Sequence, residues 1–504
     1  MTLYNRLLTL ICVLVMTCLP LGASGPKREL RGVWLTTVWG IDWPSRSGVG
    51  ETAARHQKEE MRKILDRCRR LNLTTVFFQV RSVGDAMYRS SLEPWSGFIS
   101  GKRGENPGWD PLEFVVEECH ARGLECYAWV NPFRWSSGTD YATPQDKEFK
   151  RRGWLISHNK YTAFNPGLEA VREHVTNVCR EIVENYDIDG MVFDDYFYPN
   201  RISESKDAPD YDIYINEAPW MSFGDWRRAN VHKAIADISA MIRDTRPDLR
   251  FGISPAGVAG KHDTSAPKWG MEICDVKAAD WQYREIYSDP LGLLYQGTID
   301  FISPQIYWAT THPTAPFTRL SSWWNSAANF YDRHCYTSVT LERVENGDKR
   351  ENCRDLIRQI ESNRRSSIDG DLGFVIYSAK FLPVVERYLS EGPFARPSIP
   401  PVRRGFESDH RQGPERLRLK GSKLEWSPVK RKSNEVIRYT VYEIPRKVSY
   451  EDALDPKGDG LRGEYLLGVT YDPEITLDGA PDGFRYAVCV LDGNSTESAP
   501  AWCE

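Results

Sequence analysis

The stretch DIDGMVFDDYFYP, Asp187 to Pro199, decides how the chain is read. Its apolar centre, Met191 to Phe193, is too short for a helix and suits a strand buried on both faces; it ends on two adjacent aspartates and a cluster of aromatics. Seven runs of the same kind surround it. LRGVWLTT (30–37), TTVFFQV (74–80) and LECYAWVN (124–131) precede it, and RFGISP (250–255), IDFISPQIYW (299–308), CYTSVTLE (335–342) and GFVIYSAK (373–380) follow. Amphipathic segments lie between them: Met61, Ile64, Leu65, Cys68 and Leu71 share one helical face, and Val171, Val175, Val178 and Ile182 another. Asp110 and Pro111 supply the cap and first turn of a third helix that stops before Gly123. Eight buried strands, each followed by a helix, imply an α/β fold of the (β/α)8 TIM barrel type with enlarged loops, spanning residues 28–392. A doubly wound open sheet is the competing arrangement, but no GxGxxG follows any strand.

The texture changes after Leu389. EGPFARPSIPPVRRG concentrates prolines that no helix can cross, so residues 393–401 read as a linker. Beyond it, residues 402–504 hold short strand-like runs (SKLEWSP, IRYTVYEIP, EYLLGVT, EITLD, FRYAVCVLD) separated by turn residues, the pattern of a small all-β sandwich. The order of Trp426, YTVY (439–442), Leu477 and Tyr486 resembles a fibronectin type III module, which implies positioning or binding rather than chemistry.

The N-terminus reads as an export signal over residues 1–25: Arg6 precedes the apolar run Leu7 to Leu19, and small residues follow. LVMTC resembles a lipoprotein cleavage box ending at Cys18, while cleavage between Ala23 and Gly25 is the alternative, so a lipid anchor stays open. Once exported, the chain is expected to be soluble or tethered to a membrane. Of 11 cysteines, Cys12 and Cys18 fall in the signal and the other nine are scattered, which reads as buried thiols with Cys489 and Cys503 as a pair. The nine histidines show no ligand spacing, and CxxC and HExxH are absent, so neither metal nor cofactor is expected. A net charge of -5 without a basic stripe argues against nucleic acid. The 17 Trp and 24 Tyr exceed what packing needs and suit stacking on sugar rings.

In a barrel the carboxyl ends of the strands carry the active face. Asp194 and Asp195 end the fourth strand, and alternation puts Val192 and Asp194 on one side, Phe193 and Asp195 on the other, so Asp194 is expected to face the mouth. Burial and the neighbouring charge would keep a carboxyl there protonated and able to donate a proton at neutral pH. Gln79 and Arg81 close the second strand, Trp129 and Asn131 the third, and Gln305, Tyr307 and Trp308 the sixth, a set able to hydrogen-bond and stack on a saccharide.

The motifs LRGVWLTT, FFQVRSVGDAMYRSSLEPWS, YAWVNPFR, DGMVFDDYFYP, GISPAG and IDFISPQIYW, in this order, resemble the glycosyl-hydrolase-like family 10, also called the domain-of-unknown-function 187 family, over residues 28 to 390. The resemblance implies an exported bacterial barrel that hydrolyses β-1,4 bonds between N-acetylated amino sugars of the cell wall, with peptidoglycan strands stripped of their stem peptides as substrate. The bookends Asp189, Gly190, Tyr198 and Pro199 also resemble the acidic motif of family 18 chitinases, whose acid glutamate falls near Tyr196 here, so the acid's role passes to Asp194 or Asp195. Asp189 and Tyr196 thereby join the substrate-contacting set.

Glycoside hydrolysis ordinarily needs two carboxyls about 5–5.5 Å or roughly 6.5–9.5 Å apart, which adjacent residues on one strand do not readily span. Either the substrate's 2-acetamido group is the nucleophile, with one aspartate donating a proton and the other orienting the amide, or a carboxylate arrives from another loop, with Asp42, Asp85 and Asp280 as candidates. A noncatalytic wall-binding protein on the same barrel is the alternative class, and a metal-dependent deacetylase lacks the histidine spacing it would need. A monomer is the expected state. The long segment 200–225 suits either a lid or a solvated insertion.

Overall fold

The computed structural model describes residues 25–136, 143–159, 161–345, 347–406, 412–430, 435–477 and 483–503; the signal reading falls on residues outside these, apart from Gly25. Barrel strands β1 (Leu30–Leu35), β2 (Thr75–Arg81), β3 (Glu125–Val130), β4 (Gly190–Phe193), β5 (Arg250–Ile253) and β6 (Phe301–Ile302) pair in parallel in chain order. Strand β7 consists of His334–Cys335, paired with β6, and Thr337–Thr340, paired with β8 (Gly373–Tyr377), interrupted only at Tyr336. Pairing of β8 with β1 closes the ring at eight positions. Helices α1 (Glu51–Arg70), α2 (Pro111–His120), α3 (Glu169–Asn185), α4 (Phe223–Thr245), α5 (Pro290–Gln296), α6 (Phe317–Phe330), α7 (Lys349–Ser366) and α8 (Leu382–Ser390) follow the strands in turn. The architecture is the expected (β/α)8 barrel.

Alternation along the strands produces two cores. Inward residues Leu30, Trp34, Phe77, Tyr127, Trp129, Val192, Phe301, Tyr336 and Val375 fill the barrel, with the Trp34 ring 4.7 Å from Phe77 and 4.8 Å from Trp129, edge to face. Outward residues such as Val33, Phe78, Ala128 and Phe193 meet the helices. The glycine of Asp189-Gly190 is required by this filling: a Cβ at Gly190 would sit 2.6 Å from the Tyr127 ring. Each buried aromatic removes about 150–250 Å2 from water, roughly 25 cal/mol per Å2, so the aromatic filling dominates the stability of the interior.

The C-terminal region is a pair of antiparallel sheets. Strands β9 (Arg418–Lys420), β10 (Lys423–Glu425), β11 (Arg438–Pro445), β12 (Leu466–Thr470), β13 (Glu474–Thr476), β14 (Phe484–Leu491) and β15 (Ala501–Cys503) form sheets ordered β9-β10-β13 and β12-β11-β14-β15. Cys489 and Cys503 are free thiols and not the expected pair: β14 alternates, so Cys489 lies in the core with Tyr442 and Leu466 while Cys503, opposite Tyr486, packs on the other face.

This sandwich seals the amino end of the barrel. Arg250 donates to the Pro401 carbonyl at 2.7 Å and Ser495 Oγ at 3.0 Å, Arg403 donates to Asp300 at 2.8 Å, and Arg438 bonds Glu125 of β3. Gly123, with φ 71, meets the Val469 carbonyl so closely that a Cβ would lie 2.1 Å from it. The proline-rich linker is pinned, with Ile399 exchanging backbone bonds with Lys27 and Glu29 at 2.8 Å. Segment 200–225 packs on a small core of its own, Ala208, Ala218, Phe223 and Trp226, and Asp210 holds Arg227 through two bonds of 2.6 and 2.9 Å. That packing docks the segment on α4, and its first residue, Asn200, borders the cleft. Among the described residues no helix is long and apolar enough to cross a membrane.

Candidate active site

At the carboxyl end of the barrel two cavities meet across the Asp194–Asp195 pair. The first, about 230 Å3, has Trp34 and Trp129 at its base and is walled by Gln79, Arg134, Asp194 and Tyr377, with Trp39 among its lining. The second, about 380 Å3, is lined by Asp195, Tyr161, Tyr198, Trp281 and Trp308 among others. Tyr196, Gln305 and Tyr307 belong to both, so the two spaces form one cleft with the carboxyl pair between them. Alternation on β4 is the cause: Val192 packs inside the barrel and Asp194 continues that face, whereas Asp195 turns to the other cavity.

The pair is electrostatically unequal. Both residues are 8% exposed, and Asp194 Oδ1 accepts from the Asp195 backbone N–H at 2.9 Å and Gln305 Nε2 at 3.3 Å. Burial raises the pKa of Asp194, against hydrogen bonds from Asp195 and Gln305 and the charge of Arg134, which pull it down. Burial, the Asp194 charge and the shared hydrogen bond push Asp195 well above the carboxylate range. The proton that the pair shares therefore resides on Asp195, with Asp194 the anionic partner. The sequence places Asp194 at the mouth and leaves the acid's role open between the two aspartates; the inequality arises because Asp194 has donors aimed at it.

Gln79 is locked by the segment that follows the neighbouring strand β1: Oε1 accepts from the backbone N–H groups of Thr37 at 3.0 Å and Val38 at 2.9 Å, which identifies the oxygen and directs the amide NH2 to the cavity. Gln305 Nε2 spans Asp194 and the Ser254 carbonyl at 2.9 Å. The Asp194 charge, then burial, raises Tyr196, and burial raises Tyr307 and takes Tyr377 to about 12, so these phenols remain neutral donors. Trp39 is 60% exposed at φ 53, a left-handed conformation that costs a non-glycine residue about 1 kcal/mol or more and places its ring over the first cavity.

Three residues expected at the substrate are elsewhere. Arg81 is fully buried, forked onto Glu93 at 2.6 and 2.7 Å, because a register irregularity between Gln79 and Arg81 turns it outward over Phe164. Asn131 is buried between protein partners, accepting from Trp129 Nε1 at 3.2 Å and donating to the Ser82 carbonyl at 3.1 Å. Asp189 lies at the opposite end of β4, roughly 16 Å along the strand from Asp194 at about 3.3 Å per residue. There it accepts from Cys126 N at 2.8 Å, pairs with His120 Nε2 at 2.9 Å and receives the Tyr471 hydroxyl at 2.9 Å, so it fastens the sandwich to the barrel.

The alternative carboxylates are also committed. Asp42 accepts from Thr36 N at 2.7 Å, Ser378 Oγ at 2.6 Å and Lys380 N at 2.8 Å; Asp85 holds Ser82 and Val83; and Asp280, raised by burial to about 6, caps a short helix and accepts from Thr264 at 2.9 Å. None lines either cavity. Among the described residues no cluster of His, Cys, Asp and Glu is arranged to hold a metal ion. The sequence reading overlooked Arg134, Trp39, Tyr161 and Tyr377. The R of NPFR, just past the third strand, was the available signal for Arg134, whereas Trp39 sits in a single helical turn and Tyr161 opens a four-residue strand, both too short to show a period.

Against known proteins, a family model described as Glycosyl hydrolase-like 10 matches residues 29–353. The chain is 30% identical to the glycosyl hydrolase YngK of Bacillus subtilis over 492 residues, covering 94% of this chain and 92% of that protein. It is 34% identical over 351 residues to the glycosyl hydrolase DigH of Escherichia coli K12, covering 64% of this chain and 77% of that protein. Among solved structures, the PgaB (BpsB) glycoside hydrolase domain from Bordetella bronchiseptica is similar at a TM-score of 0.44 and 11% identity, covering 71% of this chain and 96% of that one.

Proposed function

Given that the chain belongs to the glycosyl hydrolase-like 10 family, we propose that it is a glycoside hydrolase acting on bacterial cell-wall glycan, on β-1,4 bonds between N-acetylated amino sugars in strands that have lost their stem peptides. The observation that carries the proposal is the division of the cleft: two adjacent buried carboxyls each face a different sugar-sized, aromatic-lined space.

The chemistry follows from that division. The glycone sugar occupies the cavity over Trp34 and Trp129, its leaving partner the cavity by Trp281 and Trp308. Asp195 gives its proton to the glycosidic oxygen. The two carboxyls are too close for a separate carboxylate nucleophile at about 5–5.5 Å, and Asp42, Asp85 and Asp280 are engaged elsewhere, so the substrate's acetamido carbonyl oxygen attacks the anomeric carbon as the bond to the leaving oxygen breaks. Asp194 accepts from the amide N–H and offsets the positive charge of the resulting oxazolinium ring. Water, deprotonated by the now anionic Asp195, then reopens the ring at the anomeric carbon with net retention, and Asp195 recovers its proton.

Export, from the reading of residues 1–25, would bring the enzyme to this substrate. The C-terminal sandwich, read as fibronectin type III-like, sits at the far end of the barrel and acts in this proposal as a structural plug. The test is product release from purified glycan strands with and without stem peptides, followed by mass spectrometry. Hydrolysed oligosaccharides from stripped strands are expected from the wild type and not from Asp195→Asn. Binding without release across pH values and substrates would leave a wall-binding protein in its place.

A further inference from the structure

The glycone cavity holds a cation that the Asp194 charge acts on from a distance but that no described residue meets in a direct ion pair or hydrogen bond. Arg134 enters a small lateral sheet (Arg134–Ser136, Tyr161–Phe164, Leu155–His158) opposite Ala163, and it is 8% exposed. Its guanidinium carbon lies 4.9 Å from the Tyr196 ring centroid, 5.3 Å from Trp39 and 5.9 Å from Tyr161. Nε is buried without a hydrogen-bond partner, and among the described residues no carboxylate forms an ion pair with Arg134 and no acceptor takes a bond from its side chain. Other buried guanidiniums have partners: Arg31 meets Glu29, Arg81 meets Glu93, Arg227 meets Asp210 and Arg438 meets Glu125, while Arg250, without a carboxylate, donates to the Tyr336 hydroxyl, the Pro401 carbonyl and Ser495 Oγ.

An unpaired buried charge is costly, and aromatic walls hold a guanidinium in place without neutralising it. Its donors face a space shaped for a ligand, and a planar fork matches a carboxylate in a way that a hydroxyl or an amide does not. We propose that Arg134 binds a carboxylate carried by the sugar in the cavity beside Asp194. The inference rests on the glycosidase reading above and sharpens it. In a glycan that alternates an unsubstituted amino sugar with one bearing a lactyl ether, removal of the stem peptide turns a neutral amide on that ether into a carboxylate. Arg134 thereby reads stem removal as a charge. Because Asp194 orients the acetamide of the same sugar, the carboxylate-bearing sugar is the glycone and becomes the new reducing end.

The experiment compares stripped strands carrying the free carboxylate with the same strands converted to the methylamide. For the wild type, kcat/KM on the free acid is expected to exceed that on the methylamide by roughly 10- to 100-fold, the scale of a charge-assisted bidentate bond. In Arg134→Gln the ratio falls to within about threefold of unity, and Arg134→Lys lies between. Each ratio is taken on one enzyme, so any general effect of the lost cation on the aspartate pair cancels. Should Arg134→Gln fail to fold, the wild-type ratio and the product end group still decide. Equal cleavage of both strands by the wild type, persistence of the ratio in a folded Arg134→Gln, or products ending in the unsubstituted sugar would each overturn the proposal. A wild type that cleaves neither strand refutes the glycosidase reading alone; the same ratio is then measured in Kd by calorimetry, and equal Kd values refute the role of Arg134.

Discussion

Replacing Asp195 by Asn removes a proton donor and keeps the size of the side chain. The structure makes this the informative change, since burial and the Asp194 charge hold the proton on Asp195, which faces the cavity of the departing sugar. General acid assistance contributes about 10²–10⁴-fold, or roughly 3–5 kcal/mol of barrier. That contribution is needed only when the leaving oxygen is a poor anion. The assay is therefore kcat/KM for two substrates of one glycone, a saccharide and a 2,4-dinitrophenyl glycoside, because kcat/KM reports steps up to bond cleavage and excludes the later base role of Asp195. Asp195→Asn should lose about 10²–10⁴-fold on the saccharide and less than about tenfold on the aryl glycoside. The wild-type saccharide profile should be bell-shaped, falling at high pH as Asp195 loses its proton and at low pH as Asp194 gains one, with both limbs displaced upward from ordinary carboxylates. Equal losses on both substrates would refute the acid role, and leaving-group dependence appearing in Asp194→Asn instead would exchange the two assignments.

Asp194→Asn should slow both substrates alike, by about 10²–10³-fold in kcat/KM, and weaken binding of a thiazoline that imitates the cyclised acetamide; undiminished thiazoline affinity would remove Asp194 from that role. Asp195→Asn should also be the more stable protein at pH 7. A carboxyl whose folded pKa is raised favours folding fully below its unfolded pKa near 3.8 and loses that contribution as pH rises through the folded value. The gain is about 0.5–2 kcal/mol at neutral pH, shrinking toward pH 4, and a variant no more stable than wild type by thermal unfolding at pH 7 would contradict it. Asp189→Ala strands the Tyr471 hydroxyl, His120 and the Cys126 N–H, so Tm should fall by an amount corresponding to about 2–4 kcal/mol while kcat/KM stays within about twofold. A specific loss of kcat/KM would return Asp189 to the substrate.

The barrel was legible in the residues themselves. Each strand announces itself by a short apolar run and each helix by a face of period 3.6, and these are local consequences of which atoms leave water. The end of β4 was legible for the same reason, since paired carboxyls after a doubly buried strand have few inexpensive explanations. What the tertiary structure alone decided is where each charge finds its partner. Arg81 and Gln79 look equivalent at one strand end, yet a shift of register and a glutamate 12 residues later bury the first, while two backbone N–H groups aim the second at the cavity. Asp189 and Asp194 share one strand and serve opposite ends of the barrel. Arg134 is distinctive because, among the described residues, folding brings neither an ion-pairing carboxylate nor a hydrogen-bond acceptor to its guanidinium. Hydrophobic burial is summed along the chain and leaves a period, whereas ion pairing depends on one atom meeting another from a distant segment, and that meeting exists only once the barrel has closed.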